Sequence, residues 1–124
     1  MEMKVLVVDD DESARSSLCG FIQSERHKCR TAKNGKEALK MLGNYRPDLI
    51  IADISMPKMT GIELARYIRA EYSGENVKIL LISDHHPTER EVQVMADIGI
   101  DDIIKKPMNV SKLRQHLLSR QPCS

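Results

Sequence analysis

The stretch Leu49-Ile50-Ile51-Ala52-Asp53-Ile54-Ser55-Met56-Pro57-Lys58-Met59-Thr60-Gly61 decides how this chain folds. It opens as an apolar run with no polar alternation, the pattern of a strand covered on both faces in the middle of a parallel sheet. The run delivers one carboxylate, Asp53, and breaks at Ser55-Met56-Pro57. Pro57 has no backbone donor and biases Met56 away from the helical region, so the strand ends there. Thr60-Gly61-Ile62-Glu63 reads as a capping box, with Thr60 as the N-cap of a helix and Glu63 reaching back. Asp53 is thereby placed at the carboxyl end of a buried strand, the edge at which open α/β sheets bind ligands. Taken alone, the stretch is better explained by a solvated aspartate closing a strand. The residues on the neighbouring strands decide otherwise.

Upstream, Lys4 to Val8 is a second apolar strand, and it runs into Asp9-Asp10-Asp11-Glu12. Acids in the first turn of a helix offset its dipole, which accounts for Asp11 and Glu12. Asp11 is also a candidate outer-sphere contributor to a cation site. Ala14, Leu18, Phe21 and Ile22 give the following helix one apolar face. Lys28 to Lys33 is short and polar, suited to an edge strand, and Asn34 caps a helix with Ala38, Leu39 and Leu42 inward, ended by Gly43 and Pro47.

Downstream of Asp53, Leu64, Ala65 and Ile68 line a helix that runs out near Gly74, and Val77 to Ile82 is an unbroken apolar strand delivering Ser83. Thr88 and Glu91 form a second capping box, opening a helix with Val92, Met95 and Ala96 inward and Gly99 as its stop. Val94 and Ile98 fall off that stripe and are expected at the surface. Ile103-Ile104 is a short strand delivering Lys105, Lys106 and Pro107, with alternation sending Lys105 to the opposite face from Lys106. Asn109 caps a last helix with Val110, Leu113 and Leu117 inward, and residues 119–124 are expected to be a frayed tail.

Strands and helices thus alternate five times over residues 1–124, without repeats or linkers, as a single domain. Right-handed crossovers then imply a doubly wound α/β (βα)5 sandwich of flavodoxin-like type, strand order 2-1-3-4-5, which puts the polar second strand at an edge. A net charge of +1 gives no electrostatic reason to bind nucleic acid or membrane, and no run is long enough to span a bilayer. Cys19, Cys29 and Cys123 are odd in number and widely spaced, the pattern of free thiols in a reducing cytosol. Phe21, Tyr45, Tyr67 and Tyr72 are too few for a base-stacking surface.

Every strand but the second ends at one edge in a residue with chemistry: Asp9 and Asp10, Asp53, Ser83, and Lys106. Three like charges repel and must be partly desolvated. A hard divalent cation resolves that repulsion; magnesium takes one or two carboxylates, waters and phosphate oxygens. Lys106 could then hold a phosphoryl oxygen as a point charge and Ser83 could donate to another. The adjacent His85-His86 sit in a polar loop and read as exposed histidines, not ligands.

In these motifs the chain resembles a response-regulator receiver domain of two-component signalling, over almost its whole length. The carriers are Asp9-Asp10 after Val-Leu-Val-Val, the Asp53 loop through Thr60-Gly61, Ser83 after the fourth strand and Lys106-Pro107 after the fifth. The resemblance implies a phosphorylation-dependent switch, not an enzyme acting on an outside substrate, with Asp53 accepting a phosphoryl group from a phosphohistidine in a partner kinase or from a small acyl phosphate. It implies magnesium, or manganese, held by Asp10, Asp53 and the backbone carbonyl of Ser55, with Asp9 acting through a water. Lys106 would neutralise phosphoryl charge and Ser83 would report the phosphorylated state. A sensor histidine kinase or phosphotransfer protein, a downstream protein target and a cytoplasmic location follow from the same resemblance. Met1 lying just ahead of the first strand favours an N-terminal or stand-alone receiver over the tail of a hybrid kinase.

Departures from the family pattern are Asp84, where a small residue usually follows the switch hydroxyl, Ile103, where an aromatic usually stands, and Met108 after the proline. Ile103 puts the usual switching route in doubt, and Asp84 and Ile103 together suggest a second reading, a receiver-fold interaction domain acting largely without phosphorylation. Asp84 has two fates: outward, bonded to its loop, or inward, as a fourth carboxylate competing for Lys106. The family's preference for a small residue favours the inward one. A magnesium phosphatase would want another acid at Ser55, and a flavin carrier would want a phosphate-cradling loop after the first strand.

Overall fold

Four apolar runs and one polar one become the strands of a single sheet. In a computed structural model of the chain, which describes residues 2–72, 76–106 and 109–118, β1 (Lys4–Val8), β2 (Lys28–Ala32), β3 (Leu49–Asp53), β4 (Lys78–Ser83) and β5 (Asp102–Lys105) alternate with α1 (Glu12–Ser24), α2 (Gly35–Met41), α3 (Gly61–Glu71), α4 (Glu89–Ile98) and α5 (Val110–Leu118). All pairings are parallel, in the order β2-β1-β3-β4-β5. This is the doubly wound, flavodoxin-like arrangement expected from the sequence. The polar strand lies at one edge, and β3, buried at all five positions, occupies the centre.

Because successive strand side chains point to opposite faces, an unbroken apolar run serves two cores at once. Leu6, Val8, Ile50, Ala52, Ile79 and Leu81 face α2, α3 and α4, where they meet Ala38, Leu42, Leu64, Ala65, Ile68 and Met95. Val5, Val7, Leu49, Ile51, Leu80 and Ile82 face α1 and α5 and meet Leu18, Ile22, Leu113 and Leu117. Helix starts follow the expected chemistry. Thr60 and Thr88 each form a complete capping box with Glu63 and Glu91, Asn34 accepts from Glu37 N, and Asp11 accepts from Ser13 N. Gly99, at φ 94°, ends α4 in the left-handed conformation. Cys19 and Cys29 are free thiols, and burial pushes the Cys29 thiol up, which keeps it un-ionised.

Two helix faces differ from the sequence expectation. In α4, Val92 is 51% exposed and Ala96 is exposed, whereas Met95 is buried and Val94 and Ile98 are half-buried. Apolar residues occupy two overlapping stripes on this helix, so periodicity alone admits two phases. Contact with α3 selects the one carrying Met95 and Ile98. Val110, the first residue of α5, is 43% exposed, and its inner stripe is Leu113 and Leu117. Gly74, Pro107, Met108, Cys123 and the 119–124 tail lie outside the described residues.

One backbone approach seats the site on this scaffold. Gly61 N donates to Ile54 O at 3.0 Å, and a Cβ on Gly61 would stand 2.5 Å from the Asp53 carbonyl oxygen and 3.1 Å from Ile54 Cα. The obstacle is backbone, so either the strand end carrying Asp53 or the start of α3 must move. Gly61→Ala should therefore lose about 1–3 kcal/mol in urea unfolding. Gly20→Ala, where nothing lies within 4 Å in an exposed helix interior, should gain up to about 1 kcal/mol. Equal effects at the two sites would contradict this packing.

Candidate functional site

The carboxyl ends of β1, β3, β4 and β5 converge on one edge of the sheet. Asp9 follows β1 and keeps strand geometry for one more bond, its N–H donating to Ala32 O at 3.1 Å. Its side chain is buried, and Oδ1 accepts from Asp11 N at 2.9 Å. Asp10, next in line, is exposed. Asp53 closes β3 and is only 4% exposed. Both of its oxygens are engaged: Oδ1 accepts from Ser55 N at 2.9 Å and Oδ2 from Lys106 Nζ at 2.8 Å. Ligand atoms of Asp9, Asp10 and Asp53 lie within 4.8 Å of one another, the one such cluster of three metal-ligand side chains among the described residues. This donor set, all carboxylate oxygen, fits a hard divalent cation.

Lys106 reaches this cluster from the residue after β5, where its N–H donates to Ser83 O at 2.7 Å. Lys105 is exposed on the other side, as alternation requires. The hydrogen bond to Asp53 raises the Lys106 pKa above the usual lysine value; partial burial opposes the shift, and the charges of Asp53, Asp9 and Asp84 reinforce it. Burial is also the main cause that lifts the Asp9 carboxyl above the usual aspartate value, with the Asp53 and Asp10 charges adding to it and the Asp11 N–H and Lys106 working against it.

Ser83 is buried at the end of β4, beside the cluster in the chain's topology, but its hydroxyl is turned into its own loop. It donates to His85 O at 2.7 Å and accepts from His85 N at 3.2 Å. The Asp84 side chain is 68% exposed, and Oδ1 stands 3.5 Å from Lys106 Nζ, the partner named in the inward fate. His85 and His86 are exposed and outside the acid cluster. Ile103 is half-buried, and with Val92, Met95, Ala96, Ile100 and Asp102 it lines a shallow groove between α4 and β5.

Arg15 is the residue that sequence reasoning missed. From the second turn of α1 it donates Nη1 to Asp9 O at 2.8 Å, bracing the acid-bearing loop. A single arginine on a helix reads as solvated, and its partner here is a backbone carbonyl six residues earlier, which no residue type marks.

Comparison with known proteins points one way. The family model described as response regulator receiver domain matches residues 5–118. Response regulator MprA of Mycobacterium sp. strain KMS is 33% identical over 113 residues, which is 91% of this chain and 48% of MprA, so the chain spans about half the length of the curated relatives it matches. Among solved structures, chemotaxis protein CheY4 of Vibrio cholerae superposes with a TM-score of 0.87 at 30% identity, covering 98% of this chain and 100% of that one. A response regulator receiver protein from Pseudomonas putida gives 0.84 at 31% identity, covering 95% and 97%.

The raised Asp9 pKa has a stability consequence. A group whose native pKa lies above its unfolded value contributes stability below the unfolded value and loses it as pH rises through the native one. In metal-free buffer, Asp9 should therefore cost stability from just above the ordinary aspartate range, 3.8, upward. Asp9→Asn should equal the parent in urea unfolding near pH 4 and exceed it at pH 7. Parallel pH profiles for the two proteins would count against a strained, buried carboxylate.

Proposed function

The chain belongs to the response-regulator receiver domain family, and from that premise we propose that it is a phosphorylation-dependent signalling switch whose phosphoacceptor is Asp53. The observation that carries this reading is the 2.8 Å contact between Lys106 Nζ and Asp53 Oδ2, made opposite the Asp9–Asp10 pair. An Asp53 oxygen attacks phosphorus in line. The new O–P bond forms as the N–P bond of a phosphohistidine, or the acyl O–P bond of a small donor, breaks and the leaving group departs. Such transfers depend mainly on positioning and charge stabilisation, so no general base is needed. Asp10, Asp53 and the Ser55 carbonyl would hold magnesium directly, and Asp9 through a water; manganese suits the same ligands. When bound, the cation neutralises charge on the transferring phosphoryl oxygens. Lys106, already bonded to Asp53 Oδ2, supplies the second positive charge.

Signalling requires that the modified site alter a surface. Ser83 must release His85 O before its hydroxyl can turn to a phosphoryl oxygen, which moves the loop between β4 and α4. The exposed apolar residues adjoining that loop, Val92 and Ala96, with Val110 on α5, make the outer face of the last two strand–helix units the surface offered to a downstream protein target. A sensor histidine kinase or phosphotransfer protein would supply the phosphoryl group, in the cytoplasm. The domain assists its own modification and turns over no external substrate. The competing reading, an interaction domain working without phosphorylation, draws on Ile103 and on the closed Ser83–His85 turn. The assembled Lys106–Asp53 pair favours the phosphorylated switch.

Intact-protein mass spectrometry after incubation with acetyl phosphate and magnesium should show one added phosphoryl group. The addition should disappear in excess chelator and in Asp53→Asn; a labelled Asp53→Asn protein would sink the assignment. Amide exchange from Ser83 to Lys106 should also differ between the phosphorylated and unphosphorylated forms. Identical exchange would remove the α4–β5 face as the switching surface.

A further inference from the structure

Lys106 serves two carboxylates. Nζ is 2.8 Å from Asp53 Oδ2 and 3.5 Å from Asp84 Oδ1. Asp53 is nearly fully buried, whereas the Asp84 side chain is 68% exposed, so Asp84 forms the outer lip of the site and an incoming donor meets it first. Asp84 is also not swinging on a loose loop. The Ser83 hydroxyl donates to the carbonyl of His85 and accepts from its N–H, closing a turn around Asp84 from both sides. The same turn that withholds the Ser83 hydroxyl from the acceptor therefore aims Asp84 at Lys106.

From this geometry we propose that Asp84 is an electrostatic specificity gate on the phosphoacceptor site, set against small dianionic phosphodonors. The inference rests on the phosphoacceptor reading of Asp53. A free acyl phosphate brings its negative charge toward Asp9, Asp10, Asp53 and Asp84, with Lys106 as the one lysine or arginine ion-paired to those carboxylates among the described residues, Arg15 reaching only the Asp9 backbone carbonyl. Asp84 adds repulsion and draws on the positive charge the phosphoryl group needs. A donor mounted on a protein can place a lysine or arginine against the exposed oxygen of Asp84; a free acyl phosphate cannot. The gate thus selects a protein-borne phosphoryl group over free acyl phosphates. Once Ser83 turns toward a phosphoryl oxygen, its bonds to His85 break and the restraint on Asp84 is released with them.

Coulomb repulsion scales with donor charge, which gives the test its readout. Acetyl phosphate is a dianion near neutral pH, and phosphoramidate carries a single net negative charge. Phosphorylation rates of the full chain are measured with both donors, in magnesium, for the parent, Asp84→Asn and Asp84→Ala. The isosteric Asp84→Asn removes charge without making space, so it separates repulsion from crowding. Expected is an acceleration of about three- to tenfold with acetyl phosphate, tenfold corresponding to about 1.4 kcal/mol. With phosphoramidate the logarithm of the effect should halve, to about two- to threefold. Salt at about 1 M, where screening acts within about 3 Å, should erase most of the difference between parent and Asp84→Asn.

Acceleration in Asp84→Ala but not in Asp84→Asn would overturn the gate in favour of plain crowding. Equal acceleration with the two donors, or none, would overturn it as well while leaving Asp53 as the acceptor. If neither the parent nor the variants took a phosphoryl group from either donor, the phosphoacceptor reading itself would fall, and the gate with it.

Discussion

The structure depends on keeping three carboxylates together at one edge of a sheet. Asp9 and Asp53 are almost fully buried, and Asp10 stands within 4.8 Å of both. Burial first, and the charges of Asp53 and Asp10 with it, lift the Asp9 carboxyl above its usual value. The counterweight is local and specific. Lys106 reaches Asp53, the Ser55 N–H occupies the other Asp53 oxygen, and the Asp11 N–H bonds to Asp9. Removing either member of the Lys106–Asp53 pair would leave a charge in a partly desolvated place without its partner, a larger loss than the pair's own net gain. The pair also joins the centre of the sheet to its border strand, so the site exists only when β5 is docked.

Clamps outside the site hold that border in place. Arg69 on α3 donates Nε and Nη2 to Gly99 O at 3.1 and 2.8 Å and Nη1 to Val77 O at 2.7 Å, and it pairs with Asp101 at 3.2 Å. One guanidinium thus ties the approaches to β4 and β5 to the neighbouring helix, using the planar fork that a lysine lacks. Asp102 at the start of β5 takes His116 at 2.8 Å and Lys112 at 3.4 Å, both from α5. Burial works to raise its pKa, but the hydrogen bonds from His116 and Ile103 together with the Lys112 charge hold it below the usual value. On the face that α1 and α5 share, Arg114 joins α5 to the C-cap of α1, Glu25, at 3.0 Å and lies over the Phe21 ring. Exposed ion pairs of this kind add little stability one by one. Their effect is to fix the angle at which each helix covers the sheet.

Helix α4 divides its apolar residues between two sides. Its inner stripe carries Met95 with Val94 and Ile98, which leaves Val92 and Ala96 on the outer side beside the groove that Ile103 helps to line. That groove is lined by Val92, Met95, Ala96, Ile100 and Ile103, with Asp102 as its polar member. This helix, whose apolar residues divide between two sides, follows the loop that Ser83 and Asp84 form.

Sequence alone determined the sheet, its order and the list of residues at its carboxyl edge. Those properties follow from local rules: unbroken apolar runs demand two covering layers, Pro57 and the capping residues Asn34, Thr60 and Thr88 punctuate the elements, and strand ends deliver what the chain places there. The phase of α4 was not legible, because two stripes of Val, Met, Ala and Ile satisfy the same periodicity and contact with α3 chooses between them. Arg15 was not legible either, since its partner is a backbone carbonyl that no residue type advertises. Nor could the sequence say where the Ser83 hydroxyl points or how closely Asp84 approaches Lys106. Those depend on a turn closed by His85 and on a lysine 22 positions further along, brought within 3.5 Å only by the pairing of β5 with β4.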